Sequence, residues 1–139
     1  MLNLGIRKRF PDFVIIGMQK CGTTALQYFM NFHPQLKSPS EGELHFFERE
    51  GNYRKGFDFY FNQMPFATDD QLVFEKTPDY MHDPKVPARM KHFKPNLKII
   101  AVVCDPVHRA FSHYLHALNI TRPVGWNMPG AQELQHKYV

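Results

Sequence analysis

At 139 residues the chain is long enough for one domain with a packed core and no more. Hydrophobic residues at 43% and aromatic residues at 14% exclude a disordered chain, and 22% charged residues are ordinary for a globular protein. A net charge of +4 favours anionic ligands only slightly, and two cysteines are too few for a disulfide scaffold.

"MLNLGIRKRF" is too short in its apolar part for a signal peptide. Phe13 to Ile16 reads as a buried strand that runs through a glycine loop into a helix over Thr23 to Phe32. Ala25, Leu26, Phe29 and Met30 recur there at helical spacing, and His33-Pro34 ends the pattern. Leu36 to Ser38 predicts a short strand before the polar loop "SPSEGE". "NYRKGFDFYFNQMP" predicts one helix with an aromatic face, ended by Pro65. Leu72 to Glu75 is the next strand, broken by Pro78, and Pro84 to Phe93 the next helix. "LKIIAVVC" is near-continuous in apolar, mostly branched residues, as a central parallel strand should be. Asp105-Pro106 opens a long helix with Val107, Ala110, Phe111, Tyr114, Leu115 and Leu118 on one stripe. After Thr121 the pattern fades. No run approaches the ~18 apolar residues of a membrane span.

Strands alternating with helices predict an α/β fold, a parallel central sheet flanked by helices. Ligands bind such sheets at the carboxyl ends of the strands. The loops after Ile16, Glu75 and Val103 all leave those ends, so one edge of the sheet should carry the chemistry. About four strands, with the chain ending soon after a long helix, predict a domain cut short at its C-terminus.

The first of these loops, "GMQKCGTTAL", is built to hold an anion: a glycine turn entering a helix presents backbone N–H groups at the positive end of the helix dipole. Gly17 and Gly22 have the spacing of the Walker A pattern, but Thr23 stands where its lysine should be, and Lys20 comes two residues before the second glycine. No aspartate-bearing metal strand is evident, which argues against a kinase-like phosphotransferase. Taken alone, the loop also fits an ordinary βα turn with glycines for geometry.

The loop resembles the 5′-phosphosulfate loop K-x-G-T-[TR]-A-L of sulfotransferases that use 3′-phosphoadenosine 5′-phosphosulfate. "HPQL", "GELHFFE", "YRKGFDFYFNQMP", "FEKTPDYMHDPKVPARM" and "CDPVHRAFSHYLH" follow in the order found in heparan sulfate glucosaminyl sulfotransferases. The resemblance runs from about Pro11 to Leu118. It implies a P-loop-like nucleotide-binding sulfotransferase fold, present here as a partial domain over residues 11–139 with residues 1–10 as an N-terminal extension.

The same resemblance implies the site. Lys20, Cys21, Gly22, Thr23, Thr24 and Ala25 would hold the 5′-phosphosulfate, with Lys20 reaching the departing phosphate. Glu43 matches the catalytic glutamate of the 3-O-sulfotransferases, and His45 a histidine that organises the acceptor site. Without the resemblance, Glu41, Glu43 and Glu48 read as a solvated acidic loop. Lys76 would lie between cofactor and acceptor; its bland alternative is a pairing with Glu75 or Asp79. Arg109 and Ser112 match the segment that binds the 3′-phosphate, whereas Cys104 departs from the arginine that many relatives carry, a departure shared with the N-sulfotransferase branch.

The function so implied is transfer of a sulfuryl group to glucosamine of a heparan-type polysaccharide, with the 3-hydroxyl favoured. The alternatives are N-sulfation, or a truncated inactive fragment that only binds the cofactor. No nucleic-acid partner and no metal are expected; His108, His113 and His116 read as ordinary helix residues. The family resemblance places such a protein in the Golgi, although the chain shows no targeting or anchor segment. Cys21 and Cys104 are expected as free thiols.

Overall fold

The computed structural model describes residues 5–121, with side chains to residue 118. These fall into two compact units that divide between Val103 and Cys104.

The first unit is built on a parallel sheet. Its strands are β2 (Phe13–Gly17), β3 (Leu36–Lys37), β5 (Leu72–Lys76) and β6 (Lys98–Val102), in the order β3-β5-β2-β6. All three pairings are parallel, with Phe13 beside both Phe74 and Lys98, and Leu36 beside Leu72. A short antiparallel pair, β1 (Arg7–Lys8) with β4 (Phe66–Ala67), lies outside that sheet. Phe10 packs edge-on against Phe61 and Phe93.

Alternation along β2 sends its side chains to two separate cores. Phe13 and Ile15 meet Phe74 on the face covered by Leu26 and Met30 of α1 (Thr23–Met30). Val14 meets the larger cluster, which includes Phe46, Phe47, Tyr60, Met64, Tyr80, Val86 and Met90. Tyr60 comes from α3 (Gly56–Asn62), Tyr80 from a 3-10 turn (Pro78–Met81), and Val86 and Met90 from α4 (Val86–Phe93). Phe46 stacks on Tyr60 with ring centroids 4.5 Å apart. The "HFF" aromatics are therefore core, and they anchor the polar residues that precede them.

Several expectations need correction. "NYRKGFDFYFNQMP" forms two short helices, α2 (Glu50–Tyr53) and α3; the chain turns between them and Gly56 takes φ +80°, a conformation that disfavours a side chain. The α1 helix ends at Met30, before His33-Pro34. The "LKIIAVVC" strand is an edge strand of the described sheet, with Ile99 49% and Ile100 39% exposed. Its apolar run records hydrophobicity, and hydrophobicity does not encode strand order.

Free thiols are also overturned: both Cys21 and Cys104 are disulfide-bonded. Cys21 follows the carboxyl end of β2 and Cys104 that of β6.

The second unit contributes α5 (Pro106–Thr121). Asp105 caps it, its Oδ1 accepting the Val107 and His108 amides at 3.0 and 2.9 Å. Among the described residues no helix is long and apolar enough to cross a membrane.

Candidate active site

The anion loop leaves β2 at Gly17, where only glycine fits: a Cβ there would lie 2.5 Å from the Val102 carbonyl oxygen of β6. The turn is closed by the Met18 amide on Val102 O (3.0 Å) and the Cys21 amide on Met18 O (3.2 Å). Lys20 sits in the left-handed region at φ 71° and is exposed; Gly22 follows at φ 89° as the N-cap of α1. No side chain caps α1, and its first turn holds no acidic residue. The amides of Thr23, Thr24 and Ala25 therefore have neither an intrahelical acceptor nor a competing carboxylate. That fits an anionic phosphosulfate group, for which an uncapped helix start with an adjacent lysine is a natural seat.

At the end of β5, the neighbouring strand, Lys76 is 3% exposed. Its ammonium donates to Glu43 Oε1 at 2.7 Å and to the Thr24 hydroxyl at 3.3 Å. The loop threonine, the strand lysine and the glutamate of "ELHFFE" are thus one connected set. The pairing with Glu75 or Asp79 suggested by sequence proximity does not occur among the described contacts of Lys76.

His45 continues the chain of contacts. Its Nε2 lies 3.4 Å from Glu43 Oε2, while its Nδ1 is held by Glu48 Oε1 and stands 3.9 Å from Asp79 Oδ2. Asp79 in turn accepts from the Gln19 side chain of the anion loop. A carboxylate on one imidazole nitrogen fixes the ring's orientation and leaves the other nitrogen facing Glu43. Glu48 is only 11% exposed, so it is no part of a solvated acidic loop. One ligand atom each from His45, Glu48 and Asp79 lie within 4.8 Å of one another, close enough to share a cation, but these atoms already serve one another.

The backbone of this segment is strained. His45 takes φ +50°, an uncommon value for a residue with a side chain. The Asn52 side chain donates to His45 O at 3.0 Å, Thr77 Oγ1 accepts the Leu44 and His45 amides at 3.2 and 3.5 Å, and Tyr80 Oη accepts the Phe46 amide at 3.0 Å. Beneath them lies Glu75, fully buried, accepting from Tyr60 Oη at 2.7 Å and from Thr77 Oγ1 at 3.3 Å. Burial pushes the Glu75 carboxyl up to about 7, against the lowering effect of its hydroxyl partners. The same burial, together with the Glu75 charge, raises the Tyr60 and Tyr80 hydroxyls well above the ordinary tyrosine value.

Arg109 and Ser112 lie three residues apart on α5 of the second unit, hence on neighbouring positions of one helix face. Arg109 Nη1 is 3.2 Å from His113 Nδ1.

Sequence and fold both match known proteins. Residues 10–137 match the sulfotransferase domain family. The chain belongs to that family. Human heparan sulfate glucosamine 3-O-sulfotransferase 6 is 40% identical over 115 residues, which is 83% of this chain and 33% of that protein. Mouse heparan sulfate glucosamine 3-O-sulfotransferase 5 is 37% identical over 111 residues, 80% of this chain and 32% of that one. Human bifunctional heparan sulfate N-deacetylase/N-sulfotransferase 3 is 39% identical over 115 residues, 78% of this chain and 13% of its own length. The chain spans about a third or less of these curated relatives. Among solved structures, a sulfotransferase from Alicyclobacillus acidocaldarius superposes with a TM-score of 0.72 at 26% identity, covering 94% of this chain and 60% of that one. The α/β sulfotransferase fold read from the sequence is borne out.

Sequence reasoning missed four side chains of the site: Glu48, Thr77, Tyr80 and Gln19. For Glu48 a signal existed, its spacing of three from His45. For Thr77 and Tyr80 there was none, because they act on the backbone of a segment remote in sequence.

Proposed function

We propose that the chain forms the donor-binding and catalytic part of a heparan sulfate glucosamine sulfotransferase. The donor would be 3′-phosphoadenosine 5′-phosphosulfate, whose sulfuryl group passes to an acceptor oxygen, favoured as the glucosamine 3-hydroxyl, as its bond to the 5′-phosphate breaks. One observation carries the reading: Lys76, 2.7 Å from Glu43 and 3.3 Å from Thr24, joins the anion loop to the acceptor carboxylate.

In this reading Glu43 takes the proton of the acceptor hydroxyl as a general base. Lys20 and the amides of Thr23, Thr24 and Ala25 receive the charge that gathers on the departing phosphate, and Cys21 and Gly22 set the loop's path. Lys76 stabilises charge at the transferring group. His45, oriented by Glu48, holds Glu43 and the acceptor in line. Arg109 and Ser112 take the 3′-phosphate. No metal has a step in this scheme. The acceptor, heparan sulfate, follows from the names of the relatives, and a Golgi location belongs to the same reading.

The test is calorimetric titration with 3′-phosphoadenosine 5′-phosphate, followed by sulfate transfer to heparan fragments and positional analysis of the product. Lys20→Ala should lose most of the binding and about 10²–10³ of kcat. No binding by the folded wild-type chain would refute the reading, and an N-sulfated product would move it to the N-sulfotransferase branch.

A further inference from the structure

Glu43 is supported by its pairing with Lys76, but the segment it begins is held by something else. Three successive amides after it, those of Leu44, His45 and Phe46, donate to side-chain hydroxyls: the first two to Thr77 Oγ1 and the third to Tyr80 Oη. A hydroxyl has one proton, and it can accept amides only if that proton is directed elsewhere. Thr77 turns its proton to Glu75 Oε2 at 3.3 Å. Tyr60 occupies the other Glu75 oxygen. One buried carboxylate therefore orients the hydroxyl that accepts two of the three amides pinning the strained turn at His45.

We propose that Glu75 is a positioning residue, acting through Thr77 on the backbone that carries Glu43 and His45. It touches neither donor nor acceptor in the proposed reaction, and the role rests on that reading only for its consequence in catalysis. With the turn unpinned, φ +50° at His45 has no support from the Leu44 and His45 amides, and the segment relaxes towards ordinary backbone. Glu43 and His45 then lose their register with Lys76, whose own position is fixed by β5. The valine isostere of Thr77 removes the acceptor while keeping the volume. Serine keeps the acceptor. An amide at position 75 keeps the shape but replaces one acceptor oxygen by a donor.

The experiment follows amide exchange at Leu44, His45 and Phe46 in the whole chain by NMR, without donor or acceptor, for the wild type, Thr77→Val, Thr77→Ser and Glu75→Gln. Thr77→Val should speed exchange at Leu44 and His45 by about tenfold or more while leaving the β2 amides unchanged, and Thr77→Ser should restore protection. Glu75→Gln should speed the same two. In transfer assays Thr77→Val and Glu75→Gln should lower kcat by about tenfold or more, with the affinity for 3′-phosphoadenosine 5′-phosphate unchanged, and Thr77→Ser should keep the wild-type rate. Wild-type exchange at these amides in both Thr77→Val and Glu75→Gln would overturn the proposal. So would acceleration spread evenly over β2 and β5, which would mark Glu75 as merely structural. Because the exchange is read without turnover, a wild-type chain that transfers no sulfate would defeat the proposed function while the positioning role was still decided.

Discussion

Glu43 and Lys76 form a pair whose two members are unequally buried, and that inequality has a measurable consequence. The Lys76 side chain is 3% exposed and the Glu43 side chain 30%. Glu43→Gln strands an ammonium away from water with only neutral oxygens, those of the introduced amide and of Thr24, as partners. Breaking a buried pair in this way costs about 3–5 kcal/mol, which the remaining acceptors reduce to about 2 kcal/mol. Lys76→Met strands a carboxylate that water still reaches, so it should cost about 1 kcal/mol or less. The double variant removes both charges and should be less destabilised than the sum of the two, with a coupling of about 1–2 kcal/mol. Urea unfolding of the four proteins at neutral pH measures all three quantities. Equal costs for the two single variants, or a coupling within about 0.5 kcal/mol of zero, would refute the reasoning that burial of Lys76 makes this pair energetically one unit.

Two further perturbations test the frame around the site. Gly17→Ala places a methyl group 2.5 Å from Val102 O and 2.8 Å from Val102 N, both backbone atoms that cannot swing aside. It should destabilise the chain by about 2 kcal/mol or more and weaken binding of 3′-phosphoadenosine 5′-phosphate, read by thermal unfolding and calorimetry; unaltered stability would mean that β2 and β6 separate without cost. Glu75, raised from 4.5 to about 7, binds its proton more tightly in the folded chain than in the unfolded one. Its contribution is therefore fully present below about pH 4.5 and is lost as pH rises through 7, a loss of about 3 kcal/mol. The groups facing it are Tyr60, Thr77 and Tyr80, with Glu48 adding a like charge. Glu75→Gln should flatten the fall in unfolding free energy between pH 5 and 7 that denaturant titrations show for the wild type, and an unchanged slope would contradict the assignment.

The sheet was legible because its signals are local. "FVIIG" alternates its side chains between two cores, and the apolar spacing of "TTALQYFM" states a helix outright. The site residues Lys20, Glu43, His45 and Lys76 were legible only through ordered motifs, since a lone E-x-H carries almost no information by itself. What pairs with what was not legible. Lys76 has Glu75 beside it in sequence, yet adjacent strand residues point to opposite faces, so Glu75 goes down to Tyr60 while Lys76 goes up to Glu43. The edge position of β6 escaped for a related reason, because strand order is a property of the whole chain.

The places where local rules fail are also informative. Among the described residues, Lys20 and His45 are the only ones other than glycine with positive φ, and they lie in the two loops that the site joins. Buried charge follows the same distribution: Glu75 and Lys76, the buried acidic and basic side chains among the described residues, are neighbours on β5 directly beneath those loops. A sequence selected for stability alone would favour glycine or asparagine at the strained positions and apolar residues on the strand. Strain and buried charge concentrated on one edge of the sheet are the expected cost of holding an anion seat and a carboxylate in fixed relation. Strain in the loops and charge in the strand thus depend on each other: the buried Glu75 holds the Thr77 hydroxyl that supports the His45 conformation, and the buried Lys76 gives Glu43 a reason to be there.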